Sequence, residues 1–131
     1  MSDRFLFDNN LSPRLAEGMK AFGEDVDHMQ KAFPAPFNVD DTLLVQGAKE
    51  KGFNFVITRD LHIRRRFLER NAVKIHGIGL FALGGKDRTA WQLIEQTVRN
   101  WRQIKEIAAD TGRPFAFIVR PKGGVIERLP L

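Results

Sequence analysis

The fold of this chain is decided by residues 5–28, FLFDNNLSPRLAEGMKAFGEDVDH, and by a shorter run at residues 55–60, FVITRD. In the first, the apolar run Phe5–Phe7 stops at Asp8 before a helix signal; in the second, the run ends at Asp60. Each acid is therefore predicted to lie at the carboxyl end of a buried strand. Two such ends, side by side in a sheet, can hold a divalent metal.

Helix signals alternate with strand signals along the rest of the chain. Ser12 and Pro13 predict the start of a first helix that Gly23 ends. A second helix begins at Asn38 or Asp40, and a basic third helix follows Asp60. Apolar runs near residues 78–83 and 115–119 predict further strands, with a short hairpin ending at Leu129. This alternation predicts a single α/β domain over residues 1–131, with a mostly parallel central sheet flanked by helices on both faces.

The longest predicted helix covers about residues 89–110. Its apolar residues recur at helical spacing, which predicts one inward-facing stripe and a solvated opposite face. The predicted stripe consists of Trp91, Ile94, Val98, Trp101, Ile104 and Ala108.

Composition narrows the class of protein. The chain contains no cysteine, which excludes a disulfide scaffold, a thiolate zinc site and a cysteine nucleophile. No apolar run reaches the length of about 20 residues that a membrane span needs, and the amino terminus lacks the pattern of a signal peptide. We expect a soluble cytoplasmic protein. A net charge of +5 favours a polyanion or an acidic protein partner, although a simple solubility charge explains it equally well.

The candidate metal ligands are carboxylates. Hydrolysis of a phosphodiester with Mg²⁺ or Mn²⁺ needs hard oxygen ligands, and Asp8 and Asp60 qualify. Asp40 or Asp41, at the start of the second helix, opens towards the same sheet edge, and the sequence does not choose between them. Each acid also has a structural alternative: Asp8 as a turn former, and Asp40, Asp41 or Asp60 as a helix cap.

These segments resemble a known family. The stretch at residues 5–28, the helix opening DDTLL at residues 40–44 and the strand FVITRD are similar to PIN-like domains, close to the VapC-type toxin ribonucleases. The resemblance implies a PIN fold, a Mg²⁺ or Mn²⁺ ion at an acidic pocket, cleavage of RNA, and a cognate antitoxin. It assigns the metal to Asp8, Asp60 and Asp40 or Asp41, with Thr58 as the hydroxyl beside the last acid. A monomer and a homodimer both remain open.

The chain departs from that family pattern at two positions. Asn9 stands where relatives often carry Glu, and Leu61-His62 stand where many carry a second acid after T-R-D. Asp87 is a candidate fourth carboxylate, or equally a helix cap. These departures favour a rival function, a catalytically weak or inactive RNA-binding or protein-interaction module.

Basic residues beside the acids are candidates for binding RNA. Arg59 precedes Asp60, and Arg66 and Arg70 fall on one helical face, so these three residues with Thr58 are predicted to contact the substrate. A solvated helix face is the alternative for Arg66 and Arg70. The run Gly84-Gly85-Lys86 precedes a helix and resembles part of a phosphate loop, but it lacks the spacing that nucleoside triphosphate binding requires.

Overall fold

The computed structural model of this chain describes residues 3–33, 41–59 and 67–131, with side chains described outside 41–44 and 67–70. Strands and helices alternate through most of the chain. The strands are β1 (Phe5–Phe7), β2 (Val26–His28), β3 (Phe55–Thr58), β4 (Gly79–Leu83), β5 (Phe115–Val119) and β6 (Ile126–Leu129). The helices are α1 (Pro13–Ala21), α2 (Met29–Ala32), α3 (Asp41–Glu50), α4 (Phe67–His76) and α5 (Ala90–Asp110). No helix in the described ranges is long and apolar enough to cross a membrane.

The six strands form one sheet in the order β2-β1-β3-β4-β5-β6. The first five strands are parallel, and β6 pairs antiparallel with β5 as the predicted hairpin. This arrangement confirms the predicted α/β class. The chain moves outward from β1 to β2 and then returns past β1 to β3, so the direction of winding reverses between β1 and β3. In open α/β sheets, ligands bind outside the carboxyl ends of the strands at such a point.

Helices cover both faces of the sheet, which explains why its central strands are continuous apolar runs. Because side chains alternate along a strand, Phe7 and Ile57 pack on one face with α1 and α5. Leu6 and Val56 pack on the other face, against residues of α2, α3 and α4. Asp8 and Thr58 are the next residues along β1 and β3 from Phe7 and Ile57, so the strand alternation assigns them to the α3 and α4 face.

Helix α5 differs from its predicted orientation. Trp101, Ile104 and Ala108 are buried as expected, but Trp91 is 72% exposed and Val98 is 54% exposed. Three polar residues, Gln96, Thr97 and Asn100, are buried in their place. Each of them donates to a backbone carbonyl. Gln96 donates to the carbonyls of Gly84 and Val119, Thr97 donates to that of Leu93, and Asn100 donates to that of Gln96. A polar side chain satisfied in this way can be buried, so counting apolar residues alone misplaced the stripe.

The ends of two helices also refine the predictions. Ser12 occupies the N-cap position of α1, but its side chain makes no capping hydrogen bond. At α5, Thr89 and Gln92 form a capping box, in which each side chain accepts a hydrogen bond from the other residue's backbone N–H. Thr89 therefore caps this helix. Asp87, the alternative cap, is exposed and has a φ of 50°, a left-handed turn conformation that Asp tolerates.

Candidate active site at the carboxyl end of the sheet

Asp8 lies at the carboxyl end of β1 and is only 4% exposed. Its backbone N–H donates to the carbonyl of Ile57 at 3.0 Å, which continues the pairing of β1 with β3. Its side chain then turns back on the chain, because Oδ1 accepts from the N–H of Asn10 at 3.1 Å. The carbonyl of Asp8 also accepts from Leu11 N–H at 3.0 Å. The residues after β1 are thus folded into a tight turn around this carboxylate.

Thr58 is the residue opposite Asp8 on β3, and it is 3% exposed. The strand register aligns Phe7 with Ile57, which places Asp8 and Thr58 side by side. The Thr58 hydroxyl donates a hydrogen bond to Oδ2 of Asp8. Both carboxylate oxygens therefore accept one hydrogen bond each from the protein, and the carboxylate is held at the point where the sheet reverses its winding.

His28 supports the turn that carries Asp8, a role that the sequence analysis did not predict. Its Nδ1 accepts from the N–H of Gln30 at 3.1 Å, so Nε2 carries the proton and donates to the carbonyl of Leu11 at 2.7 Å. Gln30 in turn donates from its side chain to Oδ1 of Asn9 at 2.9 Å. Asn9 is therefore tied to Gln30 at the start of α2. Little in the sequence signals this role, because the short strand β2 (Val26–His28) also carries the charged residue Asp27.

The surroundings of Asp8 suit a metal ligand. Among the described residues, no cation forms an ion pair with its carboxylate, although the group is buried. Buried carboxylates are normally paired with a cation or coordinate a metal, because an isolated charge is costly to remove from water. An ionised carboxylate has about four acceptor sites, and the described residues use two of them. The remaining lone pairs are hard oxygen donors of the kind that Mg²⁺ and Mn²⁺ prefer.

The other predicted ligands lie partly outside the described structure. Asp41 is the first residue of α3. This helix leads into β3 and therefore begins at the carboxyl edge of the parallel sheet. The Asp41 side chain, and all of Asp40, Asp60, Arg66 and the Arg70 side chain, lie outside the described residues. Within the described residues, no three His, Cys, Asp or Glu side chains are close enough to hold a metal together. Asp87 therefore has no such group around it in the part of the chain that the structure describes.

Residues 3–85 match a family model described as a PIN-like domain, which covers more than half of the 131 residues. The chain belongs to the PIN-like domain family. The matched segment includes Asp8, Asp40, Asp41 and Asp60, together with Thr58, but not Asp87. No curated protein and no solved structure matches the chain.

The PIN-like match ends near the end of β4. Helix α5 and strands β5 and β6 follow it, yet they complete the same sheet and the same core, since Trp101 packs on Phe5 with ring centroids 4.7 Å apart. The PIN-like domain of this protein thus depends on residues beyond the matched segment for the packing behind β1, the strand that ends in Asp8.

Proposed function

We propose that this PIN-like domain is a metal-dependent ribonuclease that hydrolyses RNA phosphodiester bonds. The observation that carries the proposal is the buried Asp8 carboxylate, which receives a hydrogen bond from Thr58 at the reversal point of a PIN-like sheet. A structural turn former has no need of burial, whereas Asp8 is buried and has no cationic partner among the residues that the structure describes. A ligand for a divalent cation has both a reason to be buried and a reason to be oriented.

The proposed metal ligands are Asp8, Asp60 and one of Asp40 and Asp41. A bound Mg²⁺ or Mn²⁺ ion would supply an activated water and offset negative charge on the phosphate. The protein contributes orientation: Thr58 and the Asn10 N–H fix both oxygens of Asp8, and His28 fixes the turn that follows. The carboxylates act as ionised ligands, so this chemistry requires no proton shuttle from them.

Basic side chains would bind the substrate. Arg59 follows β3 directly and is half-buried, and Arg66 and Arg70 follow it in the sequence. Guanidinium groups suit this task because they remain charged and can donate two parallel hydrogen bonds to a phosphate. The net charge of +5 is consistent with a polyanionic substrate.

We further propose that the protein acts in the cytoplasm as the toxin of a toxin–antitoxin pair, with a cognate antitoxin that blocks the acidic pocket. This step rests on the similarity of residues 5–28, 40–44 and 55–60 to VapC-type toxins. Growth arrest on expression, relieved by coexpression of a small protein encoded beside it, would support the toxin role. Normal growth on expression of an active nuclease would contradict that role and leave the ribonuclease proposal intact.

The direct test of the ribonuclease is cleavage of RNA by the purified protein with Mn²⁺ or Mg²⁺, with and without chelator. We expect cleavage that chelator abolishes and that Asp8→Asn abolishes as well. Cleavage that survives both chelator and Asp8→Asn would come from a contaminant or another site, and would contradict the proposal.

The second candidate function is a PIN-like module that binds RNA or a protein without cutting. Asn9 favours it, because the residue beside the first acid is an amide held by Gln30 and adds no carboxylate to the site. His62 adds to this, since it replaces a second acid after the T-R-D segment. Chelator-insensitive RNA binding without any cleavage in Mn²⁺ would select this function.

A further inference from the structure

Three buried polar side-chain atoms in the described part of the chain have no hydrogen-bond partner. They are Nε of Arg59, Nε of Arg88 and Oε1 of Gln96. Buried polar atoms are almost always paired, so each exception needs an explanation. All three residues belong to the carboxyl edge of the sheet: Arg59 follows β3, Arg88 lies in the loop between β4 and α5, and Gln96 on α5 contacts that loop.

The side chain of Arg88 packs against the loop between β4 and α5. The Gln96 side-chain amide donates to the carbonyls of Gly84 at 3.0 Å and Val119 at 2.8 Å, which ties the ends of β4 and β5 together. Gly85 follows with a φ of 113°. A Cβ on Gly85 would lie 2.9 Å from Cδ of Arg88, so the aliphatic part of Arg88 lies directly on the glycine backbone. A side chain at position 85 would displace the arginine.

Neither Arg59 nor Arg88 forms a hydrogen bond or ion pair with another described residue. By contrast, Arg99 and Arg102 on the exposed surface of α5 each pair with a glutamate one turn away. A guanidinium has five N–H donors and keeps its charge, so burying one of its N–H groups without an acceptor is costly. Such a cost is tolerated where a ligand supplies the acceptor. The ligand that satisfies two arginines is an anion.

Arg59 and Arg88 both lie at the carboxyl edge of the sheet. Arg59 follows β3 directly, and Arg88 belongs to the loop that follows the adjacent strand β4, five residues after Leu83. The alternation of β3 assigns Arg59 to the face of Phe55 and Ile57, which is the face that α5 covers. The Gln92 N–H in the first turn of α5 already donates to the hydroxyl oxygen of Thr89, so this N–H is not free to bind the anion.

We propose that Arg59 and Arg88 jointly bind one backbone phosphate of single-stranded RNA, adjacent to the phosphate that is cleaved at Asp8. This inference rests on the proposed function for its ligand and adds a residue outside the matched family segment, Arg88. It extends the substrate path from the α3 and α4 face of the sheet edge, where Asp8 lies, to the α5 face. Gln96 and Gly85 are positioning residues for Arg88.

The test measures RNA binding without cleavage. A fluorescent single-stranded RNA oligonucleotide is titrated in EDTA, at several salt concentrations, with the parent, Arg59→Gln, Arg88→Gln and the double variant. Arg102→Gln is the matched control, because it removes the same charge from an exposed arginine of α5. We expect each single variant to weaken binding roughly tenfold and the control to stay within about twofold. The double variant should lose less than the product of the two single effects, because both residues bind one phosphate.

The salt dependence distinguishes one phosphate from two. Loss of one phosphate contact on a single strand lowers the slope of log K against log salt by about 0.7, and we expect this change in the double variant. Multiplicative losses with a slope change of about 1.4 would mean two separate phosphates and would overturn the joint site. Equal affinities of Arg88→Gln and Arg102→Gln would overturn it too.

Melting temperature and RNA cleavage are measured separately from RNA affinity. Arg88→Gln should melt at or above the parent temperature, since it removes an unpaired buried donor, so a weaker RNA affinity will not reflect unfolding. If the parent fails to cleave RNA in Mn²⁺ but the two arginine variants lose affinity as expected, the nuclease proposal fails and the phosphate site stands. If the parent cleaves and Arg88→Gln binds like the parent, the phosphate site fails alone.

Discussion

The hydroxyl of Thr58 donates a hydrogen bond to the carboxylate of Asp8, and this bond joins the ends of β1 and β3 where the winding of the sheet reverses. The two residues are 50 positions apart in the chain. Two parallel strands in register bring them together on the same face of the sheet, where the buried hydroxyl donates to the buried carboxylate. Asp8, the proposed metal ligand whose side chain is described, is therefore held directly after a β-strand, which is more rigid than a loop.

Asp8→Asn should abolish cleavage while changing the free energy of unfolding by no more than about 1 kcal/mol. The amide still accepts from Asn10 N–H through its oxygen and can donate to the Thr58 hydroxyl, so the turn survives without the ligand charge. Urea unfolding and RNA cleavage measure the two effects. A large loss of stability would instead support a structural role for Asp8.

Thr58→Val, unlike Asp8→Asn, should clearly lower the free energy of unfolding. Valine has the same shape but no hydroxyl, so one oxygen of the buried Asp8 carboxylate loses its protein donor at a cost of about 1.5–3 kcal/mol. Thr58→Ser keeps the hydroxyl and should restore most of that stability, to within about 1 kcal/mol of the parent after the loss of one methyl group. Equal stability of the valine and serine variants would show that the hydrogen bond to Asp8 contributes nothing.

The charge reversals Arg66→Glu and Arg70→Glu, made together, should weaken RNA binding and lower its salt slope by about 0.7 for each lost phosphate contact. Asp60→Asn should instead reduce cleavage far more than RNA binding, because an acid that holds the metal adds little affinity for a polyanion. Fluorescence anisotropy and a cleavage assay on the same RNA separate the two. If the double reversal binds RNA with the parent's affinity and slope, these arginines form a solvated helix face.

The two tryptophans of α5 should differ sharply in their contribution to stability. Trp101 is 8% exposed and packs on Phe5 and Phe7, so Trp101→Ala should cost about 3–5 kcal/mol. Trp91 is 72% exposed, and Trp91→Ala should change stability by no more than about 0.5 kcal/mol. Chemical denaturation of both variants provides the comparison. A comparable loss in Trp91→Ala would mean that Trp91 is covered in solution.

Glu24 should make stability dependent on pH in the acid range. Hydrogen bonds from Lys105 Nζ at 2.8 Å and Trp101 Nε1 at 2.7 Å lower the pKa of Glu24 below its ordinary value. The unfolded chain therefore takes up this proton first as the pH falls, and the stabilisation present at neutral pH is lost as the pH drops through the ordinary glutamate pKa and then the lower folded one.

Glu24→Gln should accordingly flatten the fall of the melting temperature in acid. The matched control is Glu106→Gln, whose carboxylate lies 3.9 Å from Arg102 on the exposed side of α5, the helix that carries Lys105 and Trp101. It should keep the parent's fall in acid, because an exposed ion pair contributes little to stability. Superimposable profiles for the parent and Glu24→Gln would show that the contacts to Lys105 and Trp101 contribute no pH dependence.

The sequence alone determined the class of fold and the ends of its strands. The runs at residues 5–7 and 55–57 are apolar at every position because both faces of a parallel sheet are covered, and a polar residue, Asp8 or Thr58, follows each run directly. Asp8 was predictable as a candidate ligand for this reason. Its partner on β3, Thr58, was named through the family resemblance, and the chain shows no signal of the bond itself.

The tertiary structure decided what depends on contacts between distant segments. The pairing of His28 with Leu11, the burial of Gln96 and the exposure of Trp91 all follow from which face of an element meets the sheet, and side-chain spacing gives that face only to within one helical position. Unpaired Nε atoms such as those of Arg59 and Arg88 are a property of three-dimensional surroundings. Local sequence fixes strands, helices and their ends through backbone preference and apolar period, whereas burial and hydrogen-bond satisfaction are decided only when the whole chain packs.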